Sequence, residues 1–174
     1  MASSYAVPVT LGYHLIKTTY GTWLPGDPRG SWSEAWSSKR GFYEPHRFHE
    51  ADENRFDLAR GRMKHEAVHL TEAMTEVIIQ AIGNCVARSR GGLRITVAAI
   101  EPTHVHLLLP NTGRNIDATA KWIADQTTKA VHRNTDHQGP VWTKNNWCDH
   151  IDSQEHWENA IRRSPVVLHR SPRN

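Results

Sequence analysis

The chain has 174 residues and a mass of 19.8 kDa, enough for one domain with a full core and too short for two. Its two cysteines, Cys85 and Cys148, exclude a disulfide scaffold and a four-cysteine zinc site, and no apolar run reaches the ~20 residues of a membrane helix. The 21 basic and 18 acidic residues leave a net charge of +3 and a pI near 9.0, a mild pointer to a polyanionic partner, while a mean hydropathy of −0.63 is polar without being disordered in composition.

Met1–Tyr5 has no basic region followed by an apolar one, so the expected location is cytoplasmic. Val9, Leu11, Tyr13 and Leu15 alternate with other residues and predict a strand over about 9–19. Residues 21–66 hold no sustained period; they predict a long irregular insertion, with a short helix near 50–60. Leu70, Met74, Val77, Ile78, Ala81, Ile82 and Cys85 form one apolar stripe, so a helix is expected over 71–89 with Thr71 as its cap. Residues 93–109 read as two strands joined near Glu101-Pro102-Thr103. A second helix is expected over 115–133, burying Ile116, Ala120, Ile123, Thr127, Ala130 and Val131. A short strand near 141–151 follows. A last helix starts near Ser153 and is cut off by Pro165. This order predicts an α+β fold: a ferredoxin-like, RRM-like antiparallel sheet with helices on one face and an open, histidine-bearing face opposite. Residues 1–174 would form one domain carrying the loop insertion at about 21–66.

The segment Thr103-His104-Val105-His106-Leu107-Leu108-Leu109 carries the sharpest chemistry. On a strand, His104 and His106 share one face, ~7 Å apart along the chain, while Val105, Leu107 and Leu109 face the other way. Two neutral imidazoles can hold one divalent cation and leave positions free for phosphate oxygens and water. Two exposed histidines on a strand would give the same pattern. His46-x-x-His49, His65-x₃-His69 and the Cys148/His150 pair complete no familiar zinc or thiol site.

Thr103–Leu109 resembles the histidine–hydrophobe–histidine (HUH) signature of the single-tyrosine transposases, which include insertion-sequence and REP-associated tyrosine transposases. Tyr13-His14-Leu15, the run from Tyr20 to Ser31 (YGTWLPGDPRGS) and Pro140-Val141-Trp142-Thr143-Lys144 are similar to other segments of that family, in order. The resemblance implies that His104 and His106 hold Mg²⁺ or Mn²⁺ at the scissile phosphate of single-stranded or hairpin DNA. A tyrosine hydroxyl then attacks, leaving a 5′-phosphotyrosine and a free 3′-OH. Some members are monomers and others dimers, so a homodimer is possible.

The family's nucleophile lies on the last helix, where this chain has Arg163. Arginine stays protonated and cannot attack. The four tyrosines are Tyr5, Tyr13, Tyr20 and Tyr43. Three readings stay open: a DNA-binding descendant without cleavage, substitution by Tyr20 as nucleophile, or direct hydrolysis by metal-bound water. Arg29, Arg114, Lys121, Lys144 and Arg163 are candidates for phosphate contacts. Trp142, with Trp23, Trp32 and Trp147, is a candidate for stacking on bases or for core packing.

Overall fold

The computed structural model describes residues 9–37 and 42–163, with side chains for 9–30 and 48–162. The Ser164–Asn174 tail lies outside the described residues, and the side chains of Trp32, a stacking candidate, and Arg163 lie outside those described.

Four strands form one antiparallel sheet: β1 (Gly12–Thr18), β4 (Val97–Glu101), β5 (His104–Pro110) and β6 (Trp147–Ile151), in the order β4-β5-β1-β6. Counting only these strands the order is 2-3-1-4, which is the expected α+β arrangement. β1 lies inside the sheet, paired with β5 from Gly12↔Pro110 to Thr18↔His104 and with β6 from Gly12↔Ile151 to Ile16↔Trp147.

Helices α2 (Glu72–Arg88) and α3 (Ile116–Asn134) match the two sequence-predicted helices to within a residue. Thr71 Oγ1 accepts from the Met74 N–H, and Asn115 Oδ1 accepts from the Ala118 N–H, satisfying an orphan donor at each start. Met74, Ile78, Ala81, Ile82 and Cys85 of α2, and Ala120, Ile123, Thr127 and Val131 of α3, are buried. Of these, Met74, Ile78, Ile82, Cys85, Ala120, Ile123 and Val131 join a core with Leu15, Val105, Leu107 and Leu109, at odd-numbered positions of β1 and β5. Each large aliphatic group buried there contributes ~1.5–3 kcal/mol.

Helix α4 (Gln154–Arg163) occupies the other face. Ala160, Trp157 and Ile161 pack with Val97, Leu108 and Ile151 in a second, smaller core. A Cβ at Gly12 would stand 2.3 Å from the Trp157 ring, so the indole lies directly on the strand backbone. The histidine-bearing face is therefore covered at one end by α4 and open at the other.

The insertion is more regular than its composition predicts. It contains a two-stranded antiparallel sheet of β2 (Ser31–Ser37) and β3 (Phe42–His49), followed by α1 (Glu53–Gly61). The hairpin strands pair with each other from Ser31↔His49 to Ser37↔Phe42, with a register shift between Ser33 and Ala35. That irregularity, and a pattern of mixed serines, tryptophans and charges, hides period-two alternation from sequence inspection. Gly26 (φ +85°) makes the approach to α1: its carbonyl accepts from the Asp52 N–H at 3.1 Å. Asp52 then caps α1.

Candidate functional site

Strand alternation and register assemble the site. On the face bearing α4, β1 contributes His14, Ile16 and Thr18, β5 contributes His104, His106 and Leu108, β4 contributes Ala99 and Glu101, and β6 contributes Trp147 and Asp149. Their cross-strand partners are Thr18↔His104, Ile16↔His106, His14↔Leu108, Glu101↔His104, Ala99↔His106 and His14↔Asp149. One residue of register slip would turn every one of these side chains into the helix-covered core.

The His104 and His106 rings lie edge to face with centroids 4.6 Å apart. His14, diagonal to His106, stacks on it at 5.2 Å, with His14 Nε2 and His106 Nδ1 3.0 Å apart. His104 Nδ1 is 3.0 Å from Thr103 Oγ1. Trp147 closes edge-on against His14 at 5.9 Å. At the α4 end, His156 Nε2 stands 3.1 Å from Asp149 Oδ2, and Nδ1 stands 3.8 Å from Asp152 Oδ1.

Burial disfavours the charged form of all three central imidazoles. Burial, then the neighbouring His104 and His14, push His106 down to about 4. Burial also lowers His14, against the pull of Asp149, and lowers His104, against Glu101; the Arg29 charge adds to the lowering at His104. Neutral imidazoles present lone pairs, the form in which histidine ligates a metal. A hydrogen bond donated from His106 Nδ1 to His14 would leave His106 Nε2 as the free lone pair. Among the described residues no group of three His, Cys, Asp or Glu side chains is placed to share one ion. The arrangement fits a two-imidazole site buttressed by a third ring.

The other sequence-derived candidates fall in different places. The Tyr20 ring packs with the helix-side core, edge-on to His65, and its hydroxyl accepts from the Lys64 N–H at 3.2 Å. Its ring therefore lies on the helix side of the sheet, the face opposite His104 and His106. Trp142 also joins the helix-side core, and its Nε1 donates to Thr127 Oγ1 at 2.9 Å. Packing therefore accounts for it without a base. Arg29 forms a two-pronged pair with the buried Asp27, Nε to Oδ1 and Nη2 to Oδ2, both at 2.7 Å. The Arg114 guanidinium lies 5.8 Å from the Trp122 ring centroid, at the start of α3. Lys121 pairs with Asp125 on the exposed flank of α3. Lys144 is exposed, and its carbonyl accepts from Lys17 Nζ at 3.5 Å. Arg163 ends α4. His14, Asp149 and His156 were not singled out as site residues in the sequence. The signal for His14 is its even-numbered position two residues before Ile16, which has meaning only once β1 is registered against β5.

No family model matches the chain, and no curated protein matches it in sequence. Two solved structures are similar to it. One is a REP-associated tyrosine transposase bound to a REP hairpin, at 11% identity and a TM-score of 0.47, the match covering 91% of this chain and 67% of that one. The other is a provisionally assigned transposase from Deinococcus radiodurans, at 15% identity and a TM-score of 0.39, covering 94% of each chain.

Proposed function

We propose that this chain is a transposase-like DNA-binding protein. Its histidine face takes single-stranded or hairpin DNA, and His104 and His106 hold one divalent cation, Mg²⁺ or Mn²⁺. The observation that carries the reading is the pair of imidazoles, 4.6 Å apart, on one open strand face, with His14 behind them. When bound, the cation supplies an electrophile at a phosphate oxygen. The chain's own residues do the rest: His14 fixes the ring of His106, Thr103 orients His104, and α4 closes one end of the face.

Binding without tyrosine-mediated cleavage is favoured over strand cleavage and rejoining. The reason is specific. Residue 163 is arginine, and the Tyr20 hydroxyl is engaged with the Lys64 backbone, away from the histidines. The test uses hairpin-bearing single-stranded DNA with Mn²⁺, read on native and denaturing gels. Retention on the native gel without a covalent band is expected. A covalent band lost in Tyr20→Phe would restore the cleavage reading, and free cleaved DNA without an adduct would point to attack by water. Failure to retain the DNA at all would overturn the proposal.

A further inference from the structure

Two of the large hydrophobic side chains left exposed, Trp23 at 40% and Phe48 at 47%, meet at one glycine. Trp23 Nε1 donates to the Gly30 carbonyl at 2.9 Å. Gly30 has φ +74°, and a Cβ there would stand 2.3 Å from the Phe48 ring, so that ring lies on the bare face of the glycine. The two aromatics come from separate segments, the turn after β1 and the strand β3. Among the described residues the other exposed large hydrophobics, Val9, Leu11 and Leu58, are aliphatic.

The indole is held by contacts on its face and its edge. The Arg29 guanidinium covers it at 4.4 Å from the ring centroid, and the buried Asp27 holds Arg29 in turn. Arg29 Nη2 also donates to the Thr22 carbonyl. The indole N–H is already committed to Gly30. What remains exposed is therefore apolar ring surface, and a ring already fixed loses little further freedom when something stacks on it.

The turn is tied to the histidine strand. The Thr19 N–H and the Thr19 and Thr22 hydroxyls all donate to the Thr103 carbonyl, at 2.8, 3.0 and 3.3 Å. Thr103 Oγ1 in turn contacts His104 Nδ1. Trp23 follows Thr22 and His104 follows Thr103, so the turn that carries the indole is fastened at the open end of the face, opposite the end that α4 covers.

We propose that Trp23 and Phe48 form a stacking ledge for unpaired nucleobases, one or two nucleotides from the phosphate held at His104 and His106. The inference rests on the DNA-binding reading above and assigns the inserted segment a task within it. Stacking suits this position because every base offers a flat π-face, so the ledge reads strandedness more than sequence. Base-paired DNA keeps those faces buried in its own stack. The ledge therefore favours a single strand next to a hairpin over continuous duplex.

The test measures affinity for a single-stranded flank next to a hairpin, with either normal bases or abasic sites in the flank, and 2-aminopurine as the fluorescent reporter. The wild-type chain should bind the normal flank more tightly than the abasic one and quench the reporter. Trp23→Ala should weaken binding to the normal flank by about 5- to 150-fold, the range expected for one lost base stack, and abolish the quenching. Phe48→Ala should act in the same direction, and Trp23→Phe should restore part of the affinity. On the abasic flank the variants should bind like the wild type. Equal wild-type affinity for the two flanks, or equal weakening of the variants on both, would overturn the ledge while leaving DNA binding intact. The flank comparison on the wild-type chain holds even if Trp23→Ala fails to fold. A wild-type chain that retains neither DNA would overturn the functional reading and the ledge together.

Discussion

His14 Nε2 stands 3.0 Å from His106 Nδ1, joining the two central strands of the sheet through one contact between imidazoles. The contact decides which nitrogen of His106 is free. If His106 donates, its Nε2 lone pair is presented to the open face, and His14 becomes a positioning residue. His14→Ala should then lower Mn²⁺ affinity about 10- to 100-fold, as losing an outer partner of a metal-binding histidine does. Titration calorimetry with the metal alone checks this. His14→Gln, which keeps an acceptor, should recover part of the loss.

The lowered imidazoles make acid stability a second test. In the unfolded chain His106 takes up a proton below its ordinary value of about 6.5. In the folded chain it does so only near about 4. Between these values the unfolded state binds more protons, so stability is fully present above the window and is lost as the pH falls through it. His14 and His104, lowered first by burial, act in the same direction. Asp27 acts at lower pH, because the Arg29 hydrogen bond holds its carboxyl below the ordinary carboxylate range. Melting curves of the metal-free protein should show Tm falling between pH 7 and pH 4.5, with a shallower fall in His106→Asn.

Trp142 separates packing from recognition. Its indole N–H donates to Thr127, which is 1% exposed inside α3. Trp142→Phe removes that hydrogen bond and part of the ring, and should cost about 1–2 kcal/mol in urea unfolding. DNA affinity of the folded variant should stay within twofold of wild type. A large loss of affinity without a loss of stability would return Trp142 to the binding surface.

Gly12 tests how α4 is seated. A methyl group there would meet the Trp157 ring at 2.3 Å and the Leu109 carbonyl at 2.5 Å. Gly12→Ala should destabilise the protein by about 1–3 kcal/mol, because a backbone carbonyl cannot move aside as a flexible side chain would. Denaturant titration reads the cost. Trp157→Ala combined with Gly12→Ala should then cost less than the sum of the two single changes.

The main elements were legible because their signals are local. The α2 stripe from Met74 to Cys85 and the Thr71 cap are both contained within one helix and its flank, and α2 forms as expected. The alternation of His104, Val105, His106 and Leu107 likewise separates open face from core within a single strand. The missed features depend on pairings between distant segments. His14 becomes a neighbour of His106 through the β1–β5 register, 92 residues apart in sequence. The β2–β3 hairpin carries a register irregularity and no clean alternation. Tyr20 is a candidate in the sequence because it ends a strand expected to border the His104 strand; the contact of its hydroxyl with the Lys64 N–H, 44 residues later, is visible only in three dimensions. α4 was expected as a helix, but its seat on the histidine face follows from three-dimensional packing of Trp157 and Ala160 against Leu108 and Ile151.

β1 is hydrogen-bonded on both edges, to β5 along its whole length and to β6 over most of it, whereas β2 and β3 form a separate ladder. Slow exchange of the β1 amides therefore requires opening the main sheet, while the hairpin amides can exchange when that small ladder alone comes apart. His14 is anchored in a strand hydrogen-bonded on both edges, and Phe48 rides on a two-stranded ladder that can open by itself. Mild heating should thus remove the Phe48 half of the ledge before it disturbs the imidazoles or the Trp23 turn fastened to their strand, dividing one DNA-binding face into two units of different persistence.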